Sequence, residues 1–279
     1  MLKIIGRSLL FVLLTVTTQV GGIVLLIAWL VSNRLQARWQ VRWPRAIGTA
    51  VFVTLYLVTT AFIVPPLARL NGRVPLPLFG DTLAPRSTLT VLFNRNYVDR
   101  ELEQMVRGVA HDFVHDGHPP LVYLDACFPF FDGFPLLPHL SHNDGRKLDL
   151  AFCYRNAVGE STEHTPSIIG YGALEQTRDG EEDTAARCAS QGAWWYDILG
   201  CVPVDRSIVL DEERTLDLVN ALAAHPLTSK IFIEPFLKAR WGIVSGKVRF
   251  HGCHAVSHAD HIHVQLRLSS CSRRVPYPT

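Results

Sequence analysis

The sequence predicts an α+β domain carried behind a membrane anchor. Three observations point there. Two long uncharged runs, 9–31 and 46–68, occupy the first quarter of the 279-residue chain. Two later segments, KLDLAFCY from Lys147 and HIHVQLRL from His261, alternate with the period of a strand. Two others, 99–115 and 211–224, repeat their apolar residues with the period of a helix.

The run 9–31 is long enough to cross a bilayer, which needs about 20 apolar residues. It is too long for a signal peptide, and no small-x-small cleavage site follows it. The run 46–68 reads as a second transmembrane helix, and Trp29, Trp39 and Trp43 fall where an aromatic belt would sit. Arg34, Arg38, Arg42 and Arg45 lie in the connection. The positive-inside rule puts that connection in the cytoplasm and both termini outside, although Lys3 and Arg7 pull the other way. Residues 1–70 are thus a membrane anchor with two transmembrane helices. Residues 71–87, with Pro75, Pro77 and Pro85, form an extended linker, and 88–279 form the extracytoplasmic domain.

Charge supports this division. Residues 1–80 hold eight of the 27 Lys and Arg and none of the 25 Asp and Glu. The net charge of +2 therefore averages a basic anchor and an acidic domain, and is no sign of nucleic-acid binding.

Within the domain, Leu102, Met105, Val106, Val109 and Phe113 make the inward face of the first helix. A strand over 121–128 leads into a loop rich in Pro and Phe, which either walls a cleft or packs on the domain. His139 lies in that loop and reads as structural or exposed. The polar stretch 155–187, with GYG at 170–172, reads as a long excursion. Trp194, Trp195 and Tyr196 read as core ahead of a sugar- or peptide-binding platform. Asp211 caps the second helix, with Leu216, Val219 and Leu222 inward. A short strand over 230–234 follows, and Glu234 is open as a partner for a ligand histidine. His251 and His254 flank Cys253 without entering a motif.

All six cysteines (127, 153, 188, 201, 253 and 271) follow the apolar runs, and none forms a CxxC pair. An even number in that position predicts disulfides in an oxidising compartment. Closeness in sequence suggests Cys188 with Cys201.

The chemistry concentrates in LSHNDGRKLDL (140–150) and HADHIHV (258–264). His142 and Asp149 stand seven residues apart, and Gly145 bends the chain between them. Along 261–268, Ile262, Val264, Leu266 and Leu268 share the apolar face, while His261, His263, Gln265 and Arg267 share the polar one. Two imidazoles and a carboxylate make a catalytic zinc shell with the fourth position left for water. His142, Asp149 and His263 are the predicted ligands. His261, on the same face as His263, is the predicted acid–base group, and His258 shares that role.

These residues resemble the LAS metallopeptidases, the family of D-Ala-D-Ala carboxypeptidases and penicillin-insensitive murein endopeptidases. His142, Gly145 and Asp149 match its His-x2-Gly-x3-Asp motif, and His261 and His263 match its His-x-His before an apolar strand. The murein endopeptidase branch is the nearer, through His258-x2-His261-x-His263 and the six cysteines. The resemblance covers roughly 121–268. The carboxypeptidase branch has a Glu base three residues before the last ligand. Asp260 stands there, and alternation turns it away from His263.

The resemblance implies a small antiparallel sheet with flanking helices and one Zn2+. It implies a peptidase acting on peptidoglycan peptides outside a bacterial cytoplasmic membrane. The alternatives are a D-Ala-D-Ala carboxypeptidase, and a non-catalytic zinc module of the kind the amino-terminal hedgehog domain represents.

Overall fold

The computed structural model describes residues 2–39, 43–114 and 119–267. Leu268, Cys271 and the end of the predicted 99–115 helix lie outside the described residues. The chain opens with α1 (Leu2–Thr18), α2 (Gly21–Trp39) and α3 (Pro44–Val58), the last running through a π-helical turn (Thr59–Ile63) into α4 (Val64–Leu70). Then come β1 (Arg73–Pro75), β2 (Leu83–Pro85), α5 (Thr88–Leu92), β3 (Tyr97–Asp99), α6 (Arg100–Val114) and β4 (Leu121–Tyr123). After a long loop follow β5 (Lys147–Ala151), β6 (Tyr154–Arg155), β7 (Ser161–Thr162), α7 (Thr184–Ser190) and β8 (Val209–Leu210). The last elements are α8 (Glu212–Ala224), β9 (Thr228–Phe232), α9 (Pro235–Arg240), β10 (Val248–Arg249) and β11 (His261–Leu266). The class is α+β. The chain divides into two compact units, one of Met1–Leu78, Ser87–Arg100 and Asp125–Gly145, the other of Phe79–Arg86, Glu101–Leu124 and Arg146–Thr279.

In the first unit, the predicted span over 9–31 is not one helix. Gln19 takes φ +66° and the chain turns back, so α1 and α2 form a hairpin. Two glycines permit the close approach: a Cβ on Gly21 would lie 2.6 Å from Thr18 Oγ1, and one on Gly22 2.0 Å from Thr15 Oγ1. The Thr18 hydroxyl accepts from the Gly21 N–H at 2.8 Å and so caps α2. Hydropathy reports that a run is apolar, not that it keeps one direction.

The second run does form a long helix. Pro44–Leu70 is the one helix among the described residues that is long and apolar enough to cross a membrane. Pro65 and Pro66 bring no N–H to it, and a π turn just before them absorbs the mismatch, with the Val64 N–H reaching back five residues to the Thr59 carbonyl. The two predicted transmembrane helices thus become one such helix packed beside a hairpin.

The surface of this unit is inverted relative to a water-soluble bundle. Leu9, Leu13, Ile23, Leu26, Leu57 and Phe62 are exposed, while Thr18, Gln19 and Ser32 are buried. The Arg7 guanidinium sits 5.7 Å from the Trp29 ring, and the Gln36 amide donates to the Pro44 carbonyl. The start of α1, the end of α2 and the start of α3 therefore meet at one end, which carries Arg7, Arg34, Arg38 and Arg45. Because α1 and α2 run antiparallel, Arg7 lies at the same end of the helices as the basic connection.

The opposite end meets the rest of the unit. The Asn94 amide donates to the Thr18 carbonyl at 3.3 Å, and Gln19 Oε1 accepts from the Phe130 N–H at 2.9 Å. Tyr56 donates to the Leu92 carbonyl at 2.7 Å. β1 pairs antiparallel with β3, and Tyr97 bridges to Cys127 in the 125–145 loop. The Arg73 guanidinium holds that loop through the Phe128 carbonyl and Asp132. Gly145 ends the loop at φ +73°, its carbonyl accepting from the Asp99 N–H at 2.7 Å.

The second unit is built on a six-stranded sheet of order β10-β9-β11-β5-β4-β2. Its centre, β9-β11-β5, is antiparallel, but β10 lies parallel to β9 and β2 parallel to β4. The sheet is therefore mixed, not purely antiparallel. α6 buries Leu102, Met105, Val106 and Val109, while Phe113 is half-buried under Arg214. α8, capped by Asp211, buries Leu218, Val219 and Leu222, with Leu216 only half-buried at the edge of that face. β6, β7 and β8 make a separate ribbon.

Cys188 pairs with Cys253, not with Cys201. The bond ties α7 to the 250–254 loop, where Cys188 and Tyr196 are buried against Phe250 and Cys253. Cys127 and Cys153 are buried thiols, and Cys201 is an exposed one. Among the described residues these three form no disulfide, so the even-number expectation is met there by one bond only, and Cys271 lies outside the described residues. Of the aromatic trio only Tyr196 is core; Trp194 is 76 % exposed and Trp195 38 %.

Candidate metal centre

β5 and β11 are neighbours, and their register sets His263 directly opposite Asp149. His263 Nδ1 lies 2.8 Å from Asp149 Oδ1. A carboxylate only accepts, so Nδ1 carries the proton and Nε2 carries the lone pair. The predicted two-sided strand differs in one respect: His261, Ile262, His263 and Val264 are all buried, so both faces of β11 are covered.

The second oxygen of Asp149 is also engaged. It accepts from the Tyr171 hydroxyl at 2.8 Å and lies 3.8 Å from His261 Nε2. His261 is held from behind by Asp260, whose Oδ1 accepts from Nδ1 while its Oδ2 accepts from the Gly172 N–H. Asp260, just ahead of β11, thus touches His261, the predicted acid–base group. Tyr171 packs edge-on against the His261 ring at 5.0 Å.

His258 stacks beside this group, its ring 4.8 Å from that of His261. Burial first, then the neighbouring His261 and His263, hold its imidazole well below the ordinary histidine value, so it is neutral near pH 7. Its backbone N–H donates to Glu234 Oε1 at 2.8 Å. That oxygen also accepts from Tyr196 at 2.6 Å and Ser257 at 3.2 Å. Burial pushes the Glu234 carboxyl up. Glu234 is therefore a buried hub that positions the backbone at His258.

In the 125–145 loop, His142 Nδ1 lies 2.8 Å from the Ala126 carbonyl, which again leaves the lone pair on Nε2. His139 is buried, not exposed, and its ring is 5.7 Å from that of His142. Its Nδ1 is 3.2 Å from Asp125, which takes both Nε and Nη2 of Arg95. Burial pushes the Asp125 carboxyl up, but the His139 hydrogen bond and the Arg95 charge outweigh it and hold the group below its usual range.

His139, His142 and Asp149 form a group that could hold a metal ion. His142 and Asp149 are predicted ligands, but the third member is His139 where His263 is expected; His263 is not part of this group and meets Asp149 through its Nδ1. The donor chemistry fits. Ligating histidines commonly donate their other ring N–H to a carbonyl or carboxylate, as His142 does to the Ala126 carbonyl. Imidazole with carboxylate suits several first-row divalent ions, zinc among them.

Sequence reasoning missed His139, Asp125 and Tyr171. Tyr171 had a signal: both flanking glycines take positive φ, +84° and +94°, and a Cβ on Gly172 would lie 2.5 Å from the Leu199 carbonyl. An aromatic between two obligatory glycines is a placed side chain. No protein-family model matches this chain, and no curated protein matches it.

Proposed function

We propose that the protein is a membrane-anchored zinc peptidase that cleaves peptide bonds in peptidoglycan, in the manner of murein endopeptidases. The observation that carries this reading is the pairing of His263 with Asp149 across two central strands, in a chain that also holds the His142–Gly145–Asp149 motif. The inverted surface of the helical unit supports the anchor, and the Cys188–Cys253 disulfide supports an oxidising compartment.

His142, Asp149 and His263 would hold the ion, with His139 beside them. When bound, zinc supplies a Lewis acid that polarises a carbonyl and acidifies water. His261 Nε2 takes the proton from the attacking water, since Asp260 fixes Nδ1–H and leaves Nε2 as the basic nitrogen. The neutral His258 relays that proton toward the leaving amine. Tyr171, whose one hydroxyl proton is donated to Asp149, keeps the carboxylate oriented.

The test is a digest of purified muropeptides by the full chain in detergent, read by chromatography alongside elemental analysis. Cleaved cross-links and about one zinc per chain are expected. Release of terminal D-Ala alone would make it a carboxypeptidase, and zinc without cleavage would make it a binding module.

A further inference from the structure

The basic end of the helical unit holds a cleft of about 680 Å³ between α1, α2 and α3. That lies within the range of small-molecule sites, about 300–1,000 Å³. Its walls change character along their length. Leu14 and Leu25 line it with apolar surface, while Asn33, Arg7 and Arg45 line it with polar and charged groups. Neither guanidinium has an ion pair among the described residues; Arg7 only faces Trp29, at 5.7 Å. No acidic residue occurs anywhere in 1–80 to neutralise them.

We propose that this cleft is a binding site for one anionic phospholipid, with its phosphate between Arg7 and Arg45 and an acyl chain along Leu14 and Leu25. Charge decides the occupant. A peptide segment of this chain or a second copy would bring further arginines from the same end, whereas a phosphate answers two guanidinium groups that nothing else answers. The amphipathic walls match a headgroup joined to a chain. Arginine is suited to this position because its stem lies along apolar surface while the guanidinium stays at headgroup level. The inference rests on the placement of these helices in a membrane and is independent of the peptidase reading.

The experiment uses the full chain reconstituted in vesicles of phosphatidylcholine alone or mixed with phosphatidylglycerol. Flotation reports membrane insertion, and native mass spectrometry of the re-extracted protein reports retained lipid. One phosphatidylglycerol per chain is expected, preferred over phosphatidylcholine by roughly tenfold or more. Arg7→Gln with Arg45→Gln should abolish the preference, and Arg7→Lys with Arg45→Lys should keep part of it. Arg34→Gln with Arg38→Gln, outside the cleft, should leave it intact. Flotation with equal retention of both lipids, a double Gln variant that still selects phosphatidylglycerol, or a dimer without lipid overturns the site. A chain that fails to float overturns the membrane placement and the site together, while leaving peptidase activity to its own assay.

Discussion

His263 and Asp149 share a hydrogen bond of 2.8 Å across adjacent strands, and the carboxylate's other oxygen accepts from Tyr171. Asp149→Asn keeps the shape but loses the charge that fixes the proton on His263 Nδ1. Zinc affinity should fall about 10–100-fold or more. Competition with a chromophoric chelator measures it. Equal affinity in the variant would remove Asp149 from the site.

Asp260 and His261 form a dyad, which alters what alternation alone would lead one to expect of Asp260. His261→Ala should retain zinc and lose about 10²–10⁴-fold in activity. Asp260→Asn should also be impaired, because the wrong ring nitrogen of His261 then gains freedom to carry the proton. An Asp260→Asn protein with full activity and an unchanged pH profile would make the dyad merely structural. Zinc loss in His261→Ala would make His261 a ligand.

The cysteines give a prediction with a pH sign. Cys201 should alkylate readily in the folded chain, and Cys127 and Cys153 only after unfolding. Burial, chiefly, pushes the Cys153 thiol up to about 12, against about 8.5 in an unfolded chain. Above pH 8.5 the unfolded state releases this proton and the folded state keeps it. Stability should therefore be constant below that value and fall as pH rises toward 12. Cys153→Ala should flatten this decline; melting temperatures from pH 7 to 10 test it. Losing the Cys188–Cys253 bond, which closes 65 residues, should cost about 4 kcal/mol.

The hairpin predicts sidedness. Arg7→Cys and Arg38→Cys, each in a chain otherwise free of exposed thiols, should be labelled by an impermeant maleimide from the same side of a sealed membrane. A single span over 9–31 would place them on opposite sides. Gly22→Leu should disturb the hairpin, because a Cβ there already meets Thr15 Oγ1 at 2.0 Å.

Much of the site was legible because strand periodicity is rigid. Once 147–151 and 261–266 are strands, Asp149 and the two histidines have fixed faces, and pairing needs only the register. The helix over 99–115 was legible for the same reason. What was not legible depended on distant partners. His139 became buried through Asp125 and Arg95, and Tyr171 reached Asp149 from a loop with no period of its own. Cys188 found Cys253 through the packing of Phe250 and Tyr196, which sequence distance does not report. The hairpin was hidden because Gln19, Gly21 and Gly22 are all uncharged and so do not interrupt a hydropathy run.

The tip of that hairpin has a practical bearing. Gln19 accepts from the Phe130 N–H, so the segment that leads to His139 and His142 is partly founded on the tip of the hairpin, as Asn94 is through the Thr18 carbonyl. The helices are then less a mooring line than a cornerstone. A fragment begun after Leu70 would lack the Gln19 contact beneath the loop that carries His139 and His142, so its metal content has to be compared with that of the full chain.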